Sequence, residues 1–403
     1  MKVGLIAIAC FLTGFISAQS ANFWVKKNDF GGFKREQAVA FSIGDKGYIA
    51  TGVDTSETVL NDLWEYDPAL DSWTQKANLP GSGRRSAIGF AANGKGYVGT
   101  GMNVDDASFG LPLNDFWEYT PSSNTWLQKA DFPGAGGTGV YYATAFTADN
   151  KGFVCGGKVA PSYYINELWE YKPSLDQWTL RSPFPGGGRY NMSSLSINEI
   201  GYVGLGTDQD AYRCDWWRYH PGTNQWAQMN DFVGGNRGGA STFSCFGKGY
   251  VCLGTNGGLK GDLFVYNPEL DYWYPRADYG GSERKQAISF TIENRAFVGL
   301  GSGVSGKKGS MYEYIPEEFL DVNENETQAQ LYPNPAVDKL MITTTTGLPK
   351  KVLIRTCLGQ ICFSEELNGT ALEIPLTDFP SGTYFCEIQA EKTTYYTFQI
   401  AGK

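Results

Sequence analysis

Short runs of alternating apolar and polar residues recur along most of the chain, and turns rich in Gly, Asn and Asp separate them. In the second of six similar units these runs are residues 86–91, 96–101, 115–120 and 125–130. Alternation with a period of two predicts half-buried β-strands, and short turns between such strands predict antiparallel hairpins. Each unit is therefore expected to be a sheet of four short strands.

The third and fourth predicted strands of a unit carry a tyrosine and, seven residues later, a tryptophan. Five copies keep this pair: Tyr66 and Trp73, Tyr119 and Trp126, Tyr171 and Trp178, Tyr219 and Trp226, Tyr266 and Trp273. The copies follow one another at intervals of 47 to 53 residues. Self-similarity at a fixed period indicates a repeat architecture, and repeated four-stranded units are typical of the blades of a β-propeller.

The sixth copy lacks its tryptophan, because Asp321 stands seven residues after Tyr314. The segment around Trp24 matches a fourth strand, yet nothing before it could complete a unit. We therefore expect the Trp24 segment to be the outer strand of the last unit, at about residues 285–317. This pairing would close a ring of six blades and remove two open sheet edges.

The repeats resemble the kelch family in three features: a Gly-Tyr/Phe-Val/Ile strand that ends in glycine, then the tyrosine, then the tryptophan. The strand endings are Thr51-Gly52, Thr100-Gly101, Gly156-Gly157, Leu205-Gly206, Leu253-Gly254 and Leu300-Gly301. Only the third keeps the double glycine of the family. The resemblance covers about residues 22–316, and it implies an all-β fold with a six-bladed kelch-type β-propeller closed by the N-terminal strand.

Both ends of the chain differ from the repeats. A basic start, an apolar run from Val3 to Ile16 and the small residues Ser17 and Ala18 predict a signal peptide at residues 1–18. No other stretch is apolar and long enough to predict a membrane span. Residues 317–330 are acidic and polar, which predicts a linker.

Residues 331–403 predict a small antiparallel β-sandwich. The Tyr332-Pro333-Asn334-Pro335 start, the Gly359-Gln360 turn and the Gly382-Thr383-Tyr384 strand resemble the C-terminal sorting domain of the type IX secretion pathway of Bacteroidetes. This resemblance implies that the type IX machinery is a partner, that the module is removed, and that the protein is secreted or attached to the outer cell surface. An ordinary β-sandwich appendage is the alternative.

The net charge of −9 argues against a nucleic-acid partner. One histidine and the absence of a CxxC pair argue against a zinc site, so neither a metal nor a cofactor is expected. Eight cysteines, one of them in the predicted signal peptide, do not form a recognisable disulfide framework. A bridge between Cys357 and Cys362 is left open, with Cys386 as a competitor.

Arginine is the strongest position-specific signal outside the repeat signature. Eleven residues after a tryptophan stand Arg35, Arg84, Arg189, Arg237 and Arg284, whereas Gly137 follows Trp126 at that distance. The repeat symmetry predicts five guanidinium groups around one mouth of the propeller, where they could bind carboxylate, sulfate or phosphate groups. The alternative is that these arginines brace neighbouring loops, since an arginine at this place is common in kelch repeats, and the two roles are compatible.

The loops between second and third strands are expected at the same mouth. Their candidate ligand-binding residues, which combine aromatic rings with carboxylates as sugar sites do, are Asp105, Phe109, Tyr163, Tyr164 and Tyr212. A solvated loop surface is the competing interpretation for each of them.

Three functions stay open at this stage. The first is a glycan- or protein-binding module that uses the arginine-lined face. The second is a carbohydrate-active enzyme similar to the kelch-type sialate mutarotases, with Glu36 or Glu283 beside an arginine as acid–base group; no catalytic residue is assigned. A copper site like that of galactose oxidase is excluded because His220 is the only histidine. The third is a structural adhesion protein without a small ligand.

Overall fold

The computed structural model describes residues 22–103, 112–160, 163–316, 329–344, 350–356, 361–367, 369–389 and 393–400. The chain divides into a unit of Asn22–Pro316 and a second unit that contains the C-terminal residues from Glu317 on. The predicted signal peptide and most of the predicted linker lie outside the described residues. Within the described ranges, no helix has the length and apolar character needed to cross a bilayer.

The first unit contains six antiparallel sheets of four strands, here numbered I to VI. Sheets I to III comprise Val39–Ile43, Lys46–Ala50, Leu63–Asp67 and Ser72–Lys76; Ile88–Ala92, Lys95–Gly99, Phe116–Thr120 and Thr125–Lys129; Thr144–Ala148, Lys151–Cys155, Leu168–Lys172 and Gln177–Arg181. Sheets IV to VI comprise Ser193–Ile197, Ile200–Gly204, Trp216–His220 and Gln225–Met229; Ser241–Cys245, Lys248–Cys252, Leu263–Asn267 and Tyr272–Arg276; Ile288–Ile292, Arg295–Gly299, Met311–Ile315 and Phe23–Lys27.

The sheets pack side by side through their first strands in a propeller-like arrangement. Each first strand contacts the first strand of the next sheet, and Ile288–Ile292 of sheet VI contacts Val39–Ile43 of sheet I. Smaller elements stand in the loops: the strand pairs Arg35–Glu36 with Val53–Asp54, Lys158–Ala160 with Tyr163–Tyr164, and Ser302–Gly303 with Gly306–Lys307, and the 3-10 segment Gly134–Gly137.

Sheet VI combines strands from both ends of the first unit. Phe23–Lys27 pairs antiparallel with Met311–Ile315, and Trp24 lies opposite Tyr314 in the register. The hydroxyl of Tyr314 donates to Oδ1 of Asn22 at 2.6 Å, as the hydroxyl of Tyr66 donates to Oδ1 of Asp71 at 2.7 Å. The N-terminal segment therefore makes in sheet VI the contacts that the local fourth strand makes in sheet I.

An Asp or Asn side chain two residues before each tryptophan links neighbouring sheets. Its carboxylate or amide oxygen accepts a backbone N–H from the residue directly after the preceding sheet's outer strand. The six donor–acceptor pairs are Asn28 and Asp71, Ala77 and Asn124, Ala130 and Asp176, Ser182 and Asn224, Asn230 and Asp271, and Ala277 and Asn22. These pairs connect the sheets in the cyclic order VI, I, II, III, IV, V and back to VI.

Close packing between sheets explains the glycine of the Gly-Tyr/Phe strand. A Cβ added to Gly96 would lie 2.3 Å from the ring of Phe41, and one added to Gly152 would lie 2.0 Å from the ring of Phe90. Gly201 meets Phe146 in the same way, at 2.3 Å. Each glycine thus makes room for an aromatic ring of the preceding sheet, which no larger residue could do without moving a packed ring.

The C-terminal unit has two antiparallel sheets. One contains Ala329–Tyr332, Lys339–Thr344 and Ala371–Pro375, and the other contains Ile361–Leu367, Lys350–Thr356, Gly382–Gln389 and Thr393–Ile400. Both sheets contribute to one apolar core that includes Leu340, Ile342, Val352, Ile354 and Ile388. Cys357 lies outside the described residues, so its pairing with Cys362, with Cys386 as a competitor, stays a prediction.

Candidate functional site

The five arginines that the sequence placed at the mouth are buried. Their exposed fractions are 0% for Arg35, Arg84 and Arg237, 1% for Arg284 and 3% for Arg189. Each donates through Nη1 to the carbonyl oxygen that lies 16 residues further along the chain, at 2.8 to 3.1 Å. The guanidinium groups therefore act inside the protein, between a Gly-rich loop and the end of a second strand.

Four of these arginines also form a bidentate ion pair with an aspartate just before the third strand. Nη1 and Nη2 of Arg84 donate to the two carboxylate oxygens of Asp115 at 2.6 and 2.7 Å. The other pairs are Arg35 with Asp62, Arg189 with Asp215 and Arg237 with Asp262. The geometry favours the bracing role that the sequence left open, since these donors are already directed at protein acceptors.

In sheet III, Glu167 stands at the aspartate position, and its carboxylate accepts hydrogen bonds without an arginine. Oε2 of Glu167 accepts the indole N–H of Trp169 at 2.7 Å and the backbone N–H of Ala135 at 3.0 Å. Ala135 belongs to the 3-10 segment Gly134–Gly137, which contains the glycine that replaces the arginine. A backbone amide thus stands in for the guanidinium.

The backbone forms a closed circle of six hydrogen bonds, with one residue from each repeat. This residue lies two positions after the arginine, and in the third repeat it is Tyr142, just before sheet III. Each N–H donates to the equivalent carbonyl of the preceding repeat, at 2.8 to 3.4 Å: Ser86 to Gln37, Tyr142 to Ser86, Asn191 to Tyr142, Gly239 to Asn191, Gln286 to Gly239 and Gln37 to Gln286. All six residues have positive φ, between 52° and 62°. This circle lies at the centre of the six sheets. We call the mouth the side chains of these six residues together with the side chains around them.

Polar side chains fill the centre of the mouth. Oε1 of Gln37 accepts the hydroxyl of Ser86 at 2.6 Å and the phenol of Tyr142 at 2.9 Å. Burial raises the pKa of Tyr142, although hydrogen bonds with Ser86 and Gln286 partly oppose this shift. These hydrogen bonds join three of the six repeats at the centre of the mouth.

One side of the mouth is aromatic. Ring centroids lie 5.9 Å apart for Tyr142 and Tyr190 and 5.1 Å apart for Tyr164 and Tyr190, while Tyr141 is 5.5 Å from Tyr142. Nζ of Lys158 lies 3.9 Å from the centroid of Tyr190 and 5.2 Å from that of Tyr164, and burial lowers the pKa of this lysine. Aromatic faces beside a half-buried ammonium group suit a sugar ring that carries negative charge.

The opposite side of the mouth is charged. Nζ of Lys307 lies 2.6 Å from Oε1 of Glu57 and 4.0 Å from Oε1 of Glu36. Burial raises the pKa of Glu36, with Lys307, Lys285 and Arg85 opposing the shift. Nε of Arg85 is buried and has no hydrogen-bond partner among the described residues. Two carboxyl groups, four cations and four tyrosines thus share one face.

The structure brings only part of the predicted loop set to this face. Tyr164 lies in the aromatic side, and Tyr163 is 58% exposed next to it. Tyr212 is close enough to Tyr190 to raise its pKa further, after burial and Tyr164. Asp105 and Phe109 lie outside the described residues.

Of the residues directly after the arginines, sequence reasoning named Glu36 but missed the others. Arg85, Tyr190 and Lys285 hold this position in other repeats, and Tyr141 holds it before sheet III. An alignment of the six repeats would have drawn attention to this position. The residue there is acidic in one repeat, basic in two others and aromatic in two more, whereas the arginine before it is nearly constant. Lys158 and Lys307 carry no such signal, since loop conformation alone brings them to the mouth.

A cavity of about 400 Å³ is lined by Cys214, Arg189 and Arg213, among others. Cys214 stands where Asn61, Asn114 and Asn166 stand in sheets I to III, and the amides of those residues donate to loop carbonyls. The shorter thiol makes no such bond in the described structure; its Sγ lies 3.9 Å from Asp231. Burial and Asp231 raise the pKa of Cys214, so the thiol is a poor nucleophile.

A second cavity, of about 270 Å³, lies between the first strands of the six sheets. Its hydroxyl groups mostly bond the neighbouring strand: Thr147 to Ala91, Ser194 to Ala145 and Thr242 to Ser194. They serve packing between sheets. The described residues hold no cluster of three His, Cys, Asp or Glu side chains that could bind a metal ion.

Residues 330–400 match a family model described as the secretion system C-terminal sorting domain. A sorting domain of this type indicates export through the type IX pathway to the cell surface or the extracellular space, and it indicates interaction with that machinery. Among solved structures, one titled "Structure of YjhT" is similar to this chain with a TM-score of 0.59 and 16% identity. The similarity covers 70% of this chain and 94% of that one and shows the fold alone. None of the curated proteins compared matches the chain.

Proposed function

We propose that residues 22–316 form a six-bladed kelch-type propeller, closed by the N-terminal strand, that binds an acidic glycan at its mouth outside the cell. The observation that carries the proposal is the placement of Tyr142, Tyr164 and Tyr190 beside Lys158, with Arg85 on the same face. Tyrosine faces stack on the apolar faces of sugar rings, and cations attract their carboxylates or sulfates.

The ligand site differs from the arginine set expected from the sequence. Arg35, Arg84, Arg189, Arg237 and Arg284 hold the loops in place, and the next residues along the chain present the binding groups. This arrangement supports a binding module, because buried ion pairs fix the backbone that carries the half-buried recognition residues.

A glycan array with the full-length secreted protein tests the proposal. We expect binding to glycans that carry uronic or sialic acids, and about a tenfold loss of affinity for Tyr190→Ala and for Lys158→Met. Tyr272→Ala is the matched control, because Tyr272 is exposed on the outer strand of sheet V. A flat array, or equal binding by all three variants, would refute the proposed site.

Glu36 supports a second candidate, an enzyme that interconverts the anomers of an acidic sugar. Burial raises the pKa of this carboxyl group, and it shares the mouth with Arg85 and Lys307. A carboxyl group with a raised pKa beside cations suits acid–base transfer on a sugar whose carboxylate the cations hold. Proton NMR of anomer exchange on sialic and uronic acids tests this candidate; a rate equal to that in buffer removes it.

A further inference from the structure

Arg284 differs from the other four buried arginines in what faces its guanidinium group. Its Nη1 donates to the carbonyl of Leu300 at 3.0 Å and to Oγ of Ser310 at 3.1 Å, and its Nη2 donates to Oγ of Ser282 at 3.3 Å. Ser310 stands at the aspartate position, because its carbonyl accepts the N–H of Leu300 as the carbonyl of Asp62 accepts that of Thr51. The bidentate carboxylate of the other copies is thus replaced by one hydroxyl.

This replacement leaves a buried positive charge without a counter-charge. Arg284 is 1% exposed, and no carboxylate of the described residues forms an ion pair with it. The ring of Tyr279, 4.9 Å from Cζ, offers only the weak attraction of an aromatic face. An arginine stays charged at any physiological pH, and a buried charge that lacks its partner is strongly destabilising.

The position that Ser310 occupies is partly exposed to solvent. In the four complete pairs the aspartate side chains are 14 to 31% exposed, although the arginines are buried. Ser310 is half-buried, and the side chain of Lys34 lies against the adjacent Gly309. A carboxylate from outside can therefore approach Nη1 and Nη2 along the path that the aspartate side chains occupy elsewhere.

We propose that Arg284 and Ser310 bind the carboxylate group of a small organic acid, such as a uronate, in the geometry that Asp62, Asp115, Asp215 and Asp262 show in the other sheets. This site lies at sheet VI and is separate from the tyrosine side of the mouth, which belongs to sheets III and IV. The four intramolecular pairs are its template: two parallel N–H···O bonds from one guanidinium to one carboxylate.

The unfolding temperature of the full-length protein, measured with and without sodium acetate at constant ionic strength, tests this site. We expect saturating acetate to raise the midpoint of the wild-type protein by roughly 2–4 °C. Ser310→Asp should raise the midpoint in the absence of acetate and abolish the acetate response. Chloride and phosphate arms show whether the site prefers a carboxylate, and a glucuronate arm shows whether a sugar ring adds affinity.

Asp262→Ser provides the matched gain-of-response variant, because it reproduces at Arg237 the arrangement found at Arg284. We expect a lower midpoint and a larger acetate response than in the wild-type protein. The proposal is overturned if acetate shifts the wild-type protein and Ser310→Asp equally, or if neither wild type nor Asp262→Ser responds. If Ser310→Asp does not fold, the comparison of wild type with Asp262→Ser still decides the outcome.

Discussion

Trp24 and Tyr314, from opposite ends of the first unit, lie directly opposite each other in one sheet with ring centroids 5.0 Å apart. Nε1 of Trp24 also donates to the carbonyl of Ala277 in the loop after sheet V, at 3.0 Å. The same relationship holds for Tyr119 and Trp126, whose centroids are also 5.0 Å apart. The N-terminal strand is therefore a structural part of sheet VI.

Truncation of Trp24 is expected to destabilise the first unit. Trp24→Ala removes ring contacts with Tyr314, Tyr279 and Phe243 and one hydrogen bond, which together should lower the free energy of unfolding by about 3 kcal/mol. Equilibrium denaturation in urea measures this change. Leu127→Ala, at a side chain that is 59% exposed, is the control. Equal stability of the two variants would mean that the strand contributes little.

The ion pair of Arg84 and Asp115 is expected to stabilise the fold rather than to bind a ligand. Arg84→Ala leaves a partly buried carboxylate without its counter-charge and two backbone carbonyls without their donor, and should cost about 3–5 kcal/mol of unfolding free energy. Arg84→Lys should also destabilise, because an ammonium group cannot form the bidentate pair. Denaturation curves check both, with the exposed Lys172→Ala as control. A stable Arg84→Ala protein that loses only ligand affinity would restore the binding role.

Glu36 is expected to make stability depend on pH. Burial raises its pKa above 4.5 in the folded protein, so the folded state holds this proton more tightly than the unfolded state does. The penalty of the ionised form is absent below the unfolded pKa and grows as the pH rises through the folded pKa. Glu36→Gln should therefore gain stability relative to wild type between about pH 4 and pH 7.

Urea denaturation at several pH values across that window measures the difference. Glu57→Gln is the control, because Glu57 pairs with the same Lys307 while its side chain is 72% exposed. A difference between Glu36→Gln and wild type that stays constant, or that shrinks as the pH rises, contradicts the sign.

Deletion of residues 331–403 is expected to stop delivery to the cell surface or medium. The matched sorting domain covers almost all of this segment, and the type IX machinery acts on proteins that have already reached the periplasm. In a host with that pathway, fractionation should find the truncated protein in the periplasm. Its appearance in the medium at the full-length level would disprove the sorting role; periplasmic protease resistance would show that the first unit still folds.

The sequence alone was sufficient for the local features of this protein. Alternation and turn residues predict the strands, and the tyrosine–tryptophan spacing predicts six units of one kind, because both depend on residues close together in the chain. The missing tryptophan after Tyr314 also predicts that the Trp24 segment pairs with the last unit. The sorting segment follows from short motifs at residues 331–403.

The tertiary structure decided what the arginines do. Their position eleven residues after a tryptophan is visible in the sequence, but the aspartates that take up their donors lie 25 to 31 residues further on. Whether a guanidinium faces solvent or a carboxylate depends on that distant contact, which local pattern does not encode. The mouth could not be predicted for the same reason. Lys158, Tyr190 and Lys307 come to one face only when the sheets pack side by side.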